Sequence, residues 1–201
     1  MAGISVIVLN GGSSSGKSSI ARALQGLLGP TWMTLGVDDL IRALPGGDQP
    51  LGNEPSIEIR PDGSVAVGDD FRRAEAAWYQ GLAAIGNAGT GLIIDEVFLG
   101  GKSSQERLAR ELDGLAVLWV GVRCDPEVAA QREQHRPDRI VGMALSQAES
   151  VHDVVEYDLV VDITYLSALD CARSIITRVF RCSDAVGPGA TNERPGVGPT
   201  P

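Results

Sequence analysis

Short, densely apolar runs alternate with longer stretches in which apolar and polar positions recur at helical spacing. The runs at residues 4–9, 32–37, 92–94, 117–122 and 159–161 are strand-length and apolar almost throughout. Strands buried on both faces read this way. Amphipathic stretches at 17–28, 71–86, 105–112, 127–135, 141–152 and 169–179 follow most of them. Strand then helix, repeated, predicts an α/β fold with a five-stranded parallel sheet between helices. Residues 44–69 break the pattern. Pro45-Gly46-Gly47 and Pro50 mark a loop, and Ile57-Glu58-Ile59-Arg60 and Ser64-Val65-Ala66-Val67 flank Pro61-Asp62-Gly63. Alternation around such a turn predicts a small β-hairpin inserted into the α/β scaffold. From Cys182 onward Gly, Pro, Thr and Asn dominate. The expected organisation is one domain over residues 1–181 and a disordered tail over 182–201.

The chain has 201 residues, 43% of them hydrophobic, enough for a sizeable core. Its net charge is −9, which argues against a general affinity for nucleic acid or anionic lipid. Residues 1–9 are apolar but lack a basic start and run into Gly and Ser, so they read as a buried strand; no stretch reaches membrane-span length. Three cysteines, Cys124, Cys171 and Cys182, are too scattered for a metal site or a disulfide framework. A reducing cytoplasm is the expected compartment. Oligomeric state stays open, a homo-oligomer included.

Gly11-Gly12-Ser13-Ser14-Ser15-Gly16-Lys17-Ser18 fits the pattern G-x-x-x-x-G-K-[ST], between a buried strand and an amphipathic helix. Glycines let the backbone wrap a phosphate with its N–H groups inward, and the helix N-terminus adds partial positive charge. Lys17 is expected to reach the terminal phosphates, and the Ser18 hydroxyl to help hold Mg²⁺. Residues 11–18 and the adjoining Ser19 are the candidate nucleotide-binding set, in a P-loop NTPase-type fold.

Other pieces surround this loop. Gly91-Leu92-Ile93-Ile94 ends in Asp95 and Glu96, where a carboxylate can hold Mg²⁺; Asp95 is the metal candidate, against an ordinary cap or loop ion pair. Arg132 and Arg136 are four apart, Pro137 ends their helix, and Arg139 follows. They read equally as arginines on a mobile segment that closes over transferring phosphate and as a solvated face paired with Glu127 and Glu133. Asp162-Ile163-Thr164 sits where a loop can pass beside the adenine. On the acceptor side, Asp38 and Asp39 follow the second strand. Asp38 can take the proton of an attacking hydroxyl or cap the short helix 40–44; Asp39 is the natural cap. Trp78 and Tyr79 could line an acceptor pocket, though aromatics at that spacing are more often core. His135 and His152 look unaccompanied. No Asn-Lys-x-Asp and no Asp-x-x-Gly switch is present, which disfavours a GTPase. A small ATP-dependent kinase acting on a small hydroxyl-bearing acceptor fits these features best, with a nucleotide-binding regulator of little turnover as the competing class.

Leu9 to Ser18, Gly36-Val37-Asp38, Ile93 to Gly101, Gln105-Glu106-Arg107 and Val117 to Asp125 together resemble the chloramphenicol phosphotransferase-like kinases. Gly142-Met143-Ala144, Gln147-Ala148, Val151-His152 and Glu156-Tyr157-Asp158 extend the resemblance to about residue 180. It implies ATP-dependent phosphorylation of the primary hydroxyl of chloramphenicol, with the catalytic aspartate on Asp38 and the ATP loop on Gly11 to Ser18. The sequence departs from the family at Glu96, where Asp is commoner, and over residues 46–56.

Overall fold

β1 (Val6–Asn10) is buried along its whole length because strands flank it on both sides and helices cover both faces. The computed structural model describes residues 3–45, 57–60, 62–135 and 142–184, with backbone alone for 181–184. After β1 come α1 (Lys17–Leu28), β2 (Trp32–Gly36), α2 (Val37–Ala43) and the hairpin β3 (Ile57–Ile59) and β4 (Val65–Val67). Then follow α3 (Asp69–Asn87), β5 (Gly91–Glu96), α4 (Lys102–Glu111), β6 (Val117–Arg123) and α5 (Pro126–Gln134). α6 (Met143–Ser150), β7 (Leu159–Asp162) and α7 (Ala168–Asp184) complete the described chain.

The main sheet is five-stranded and parallel, ordered β2-β5-β1-β6-β7, as the apolar runs predict. Alternation along β1 divides the core. Ile7 and Leu9 pack with Ile20 and Leu24 of α1 and Ile175 of α7. Val6 and Val8 pack with Leu82 of α3 and Leu108 of α4. A third cluster joins Leu40 of α2, Ile57 of the hairpin and Phe71 of α3, with Val65 and Val67 against it. That cluster roofs one side of the cleft at the carboxyl ends of the strands, where ligands bind in open α/β sheets.

Two expectations shift. β2 ends at Gly36 and α2 begins at Val37, so Asp38 and Asp39 lie in the first helical turn and not in a connecting loop. Gly36 has no room for a side chain: a Cβ there would stand 2.3 Å from the Asp95 carbonyl oxygen. α7 runs to Asp184, beyond the expected end of the domain, and the rest of the predicted tail lies outside the described residues. So does the loop 46–56.

Candidate functional site

Between β1 and α1 the chain bends around an open cradle. Gly16 has φ +102°, and a Cβ on it would come within 2.8 Å of Ile163 Cδ1, so only glycine fits. Ser14 also holds positive φ, at +55°, a conformation that side chains avoid and that clusters at functional loops. The hydroxyls of Ser13, Ser14 and Ser15 are buried without a hydrogen-bond partner among the described residues. Buried orphan donors around a glycine cradle at a helix N-terminus suit a bound phosphate chain.

Lys17 is buried, and its Nζ donates to the carbonyls of Gly11 (2.9 Å) and Gly12 (3.0 Å). It also lies 3.8 Å from Asp95 Oδ1. Ser18 Oγ donates to Asp95 Oδ2 at 2.7 Å. One hydroxyl and one carboxylate beside a phosphate cradle are hard oxygen donors of the kind Mg²⁺ takes, since it fills its remaining positions with water and phosphate oxygens. Among the described residues, no three His, Cys, Asp or Glu gather as a metal-binding group.

Arg132 is tied to this cradle. Its Nη1 donates to the Ser15 carbonyl (3.3 Å) and to Cys124 Sγ (3.4 Å), and its Nη2 to the Ile163 carbonyl (3.1 Å). It is therefore not part of a solvated face paired with Glu133. Glu133 is itself buried and accepts from the backbone N–H groups of Gly142 and Ala144, both at 2.8 Å. Arg136 and Arg139 lie outside the described residues.

The loop, α2, the hairpin and α3 enclose one cleft of about 710 Å³. Lys17, Ser18, Asp95 and Arg132 line it together with Asp38 and the apolar side chains of Val37, Ile41, Ile57, Val65, Val67 and Phe71. Asp39 caps α2 from its third position, its Oδ2 accepting from the Gly36 N–H at 2.8 Å, and pairs with Arg42. Tyr79 and Trp78 do not line the cleft. Tyr79 belongs to the core over the sheet, 3.5 Å from Glu75 Oε1, and Trp78 packs beside it. Burial and the neighbouring charges of Glu96 and Glu75 hold the Tyr79 phenol far above its usual range.

Several residues that local pattern does not reveal also build the site. Gln147 of α6 accepts from the Ser13 N–H at 2.8 Å. Asn10 Nδ2 donates to the Val151 carbonyl (2.7 Å) and to the Tyr157 hydroxyl (2.6 Å), while Asn10 Oδ1 accepts from the Phe98 N–H (2.8 Å). His152 Nδ1 lies 2.6 Å from that same Tyr157 hydroxyl. Far from unaccompanied, His152 is buried in this network, and burial, then Arg123, lowers its pKa to about 4. Glu96 is buried at the end of β5; burial, then the charges of Glu75 and Asp95, push its carboxyl up to about 8. His135, by contrast, is exposed.

The chain belongs to the chloramphenicol phosphotransferase-like family, whose description "Chloramphenicol phosphotransferase-like protein" matches residues 4–180. Two curated Mycobacterium tuberculosis sequences, "Putative O-phosphotransferase MT2714" and "Putative O-phosphotransferase Rv2636", are each 32% identical over 180 residues. The match covers 85% of this chain and 80% of theirs. Among solved structures, a shikimate kinase from Acinetobacter baumannii in complex with shikimate superposes with a TM-score of 0.61 at 18% identity, over 91% of this chain and 96% of its own. A gluconokinase from Sinorhizobium meliloti 1021 superposes with a TM-score of 0.61 at 19% identity, over 90% of this chain and 95% of its own. The fold is thus that of the P-loop kinases. No helix among the described residues is long and apolar enough to cross a membrane.

Proposed function

We propose that this phosphotransferase moves the γ-phosphoryl group of ATP to the hydroxyl of a small acceptor, the primary hydroxyl of chloramphenicol. The observation that carries the reading is a single cleft lined both by the loop residues Lys17 and Ser18 and by Asp38. Family membership supports the choice of acceptor. In this reading residues 11–19 bind the nucleotide phosphates, and Lys17 neutralises charge on the group being transferred. Ser18 and Asp95 would hold Mg²⁺, which supplies further neutralisation of the phosphate oxygens when bound. Arg132, anchored on the loop, supports its shape beside the nucleotide, and Arg136 and Arg139 add positive charge to the same phosphates.

The acceptor oxygen attacks the γ-phosphorus as the bond to the β-phosphate bridging oxygen breaks, giving a phosphate ester and ADP. Asp38 accepts the hydroxyl proton and orients the attacking oxygen. Because phosphoryl transfer is largely loose, the orienting contribution is substantial. The test is incubation of the purified protein with ATP, Mg²⁺ and chloramphenicol, followed by mass spectrometry and ADP measurement. The expected result is a singly phosphorylated antibiotic with equimolar ADP, and protection of sensitive bacteria on expression. Unmodified chloramphenicol, with another alcohol phosphorylated instead, would assign the activity to a different acceptor.

A further inference from the structure

The peptide unit that joins Gly12 to Ser13 is gripped from two directions. Its carbonyl accepts from Lys17 Nζ at 3.0 Å and from the Ser15 N–H at 3.3 Å. Its N–H donates to Gln147 Oε1 at 2.8 Å. Lys17 Nζ also donates to the Gly11 carbonyl at 2.9 Å, so two successive peptides place the ammonium group. Ser13, Lys17 and Gln147 are all buried, where such contacts are stronger than in water. The space that a Cβ on Gly12 would take is bounded by Gln147 as well, whose Cβ and carbonyl carbon stand 3.3 Å from that point.

An ammonium at the carbonyl end and an amide oxygen at the N–H end favour the same direction of the peptide dipole. Turned over, the peptide would aim its N–H at the Lys17 ammonium and its carbonyl at the Gln147 oxygen, exchanging two attractive contacts for two repulsive ones. Gly12 has no side chain to oppose that rotation. Ser14 follows at φ +55°, a conformation that persists only where its surroundings over-determine it. Resting on the nucleotide reading above, we propose that Gln147 is a positioning residue for phosphoryl transfer: by fixing the direction of the Gly12–Ser13 peptide, it sets where Lys17 presents its charge to the nucleotide phosphates. Every buried N–H needs an acceptor, but this one shares its peptide plane with a carbonyl that holds the lysine. Loss of the acceptor therefore reaches the charge at the phosphates as well as the stability of the fold.

The test is a double-mutant cycle read by calorimetric binding of a non-hydrolysable ATP analogue with Mg²⁺. It needs no acceptor, so it does not depend on which alcohol is phosphorylated. The affinity lost on Lys17→Ala is measured in the wild type, in Gln147→Met and in Gln147→Glu. In the wild type the loss is expected to be about 10–100-fold, the value of charge-assisted hydrogen bonds to phosphate. In Gln147→Met, where the peptide is free to turn, it falls to about 3-fold or less. Gln147→Glu keeps an oxygen opposite the Ser13 N–H and restores the wild-type loss. A merely structural glutamine would lower Tm yet leave the Lys17→Ala loss in Gln147→Met at its wild-type size. That result overturns the proposal, and so does a Gln147→Glu that behaves like Gln147→Met. If Gln147→Met does not fold, the cycle is run on Gln147→Asn, whose side chain is one methylene too short to reach the Ser13 N–H, and the same results decide. A wild type that binds no analogue, or that loses nothing on Lys17→Ala, overturns the nucleotide reading and the proposal with it.

Discussion

The backbone N–H of Ser13 donates a 2.8 Å hydrogen bond to Oε1 of Gln147, which lies 134 residues away on α6. Gln147 backbone atoms also stand 3.3 Å from where a Cβ on Gly12 would sit. The phosphate loop is therefore seated directly on α6, and α6 is in turn held at its N-terminus by Glu133 of α5. Through these contacts the shape of the loop depends on a part of the chain remote from its own sequence.

Replacing Gln147 by Met is expected to leave the Ser13 N–H buried without an acceptor, at a cost of about 1–3 kcal/mol. For a chain of this size that is a fall in Tm of about 2–10 °C. Thermal unfolding of the two proteins measures it. An unchanged Tm would mean that water replaces the glutamine oxygen.

Lys17→Ala is expected to lower phosphoryl transfer by at least about 10²–10³-fold, as loss of a donor aimed at developing charge does. Lys17 is buried, donates to loop carbonyls and lies close to Asp95, outside the apolar clusters. The far-ultraviolet circular dichroism and the cooperativity of unfolding should stay those of the wild type. Full turnover at saturating substrate would remove Lys17 from the site.

Asp38 and Asp39 are adjacent on α2 and are expected to do different work. Asp38→Asn is expected to reduce kcat by about 10²–10⁴-fold with ATP binding nearly unchanged, as loss of a positioned proton acceptor does. Asp39→Asn weakens the bond to the Gly36 N–H and the pairing with Arg42, and costs about 1 kcal/mol of stability. Steady-state kinetics and urea unfolding on both variants separate the two roles. Equal, mild losses in both would assign the proton to another group.

Legibility in the sequence followed range. The phosphate loop, its flanking strand and helix, the parallel sheet and the hairpin are each written in a few consecutive residues, and they stand where the pattern put them. The partners of that loop are not local. Gln147, Glu133 and the Asn10–Tyr157–His152 group acquire their roles from contacts across the fold; the resemblance includes Asn10, Gln147, His152 and Tyr157, but no local period or spacing says what they touch. Gly121 is an example: it has no side chain because the Tyr157 ring occupies the space, within 2.9 Å of where a Cβ would sit. For the aromatic pair on α3, helical spacing favours a core role but does not say which core: Tyr79 meets the one over the sheet, and Trp78 packs against both that core and the cluster that roofs the cleft.

Gly63, at the tip of the hairpin, has φ +79°, and a Cβ there would stand 2.4 Å from the carbonyl carbon and oxygen of Gly142. The hairpin thus rests on the start of α6 across the acceptor side. Gly63→Ala is expected to lift the tip and to raise the acceptor KM several-fold, with the KM for ATP little changed. The backbone strain adds a stability cost of about 1–2 kcal/mol. Equal changes in both KM values would show that the contact supports the nucleotide half instead.

His152 makes stability depend on pH, and the sign follows from its surroundings. The ring is buried against Tyr157 and faces the positive charges of Arg123 and Lys17, with Glu149 as the opposing charge. Its pKa falls to about 4 in the folded protein, against 6.5 for the free side chain. Between those values the unfolded chain binds a proton that the folded protein does not. Stability therefore rises with pH through that window and is lost as pH falls from 6.5 toward 4. The full effect is at most about 3–4 kcal/mol, since a tenfold change in proton affinity is worth about 1.4 kcal/mol. Once protonated, the imidazole can no longer accept from the Tyr157 hydroxyl, to which Asn10, the residue just before the phosphate loop, donates. His152→Asn cannot titrate, so its unfolding free energy should vary less with pH over this window than that of the wild type. Chemical denaturation from pH 4 to pH 7 on both proteins measures the difference. Parallel curves would show that the acid sensitivity resides in the carboxylates and not in His152.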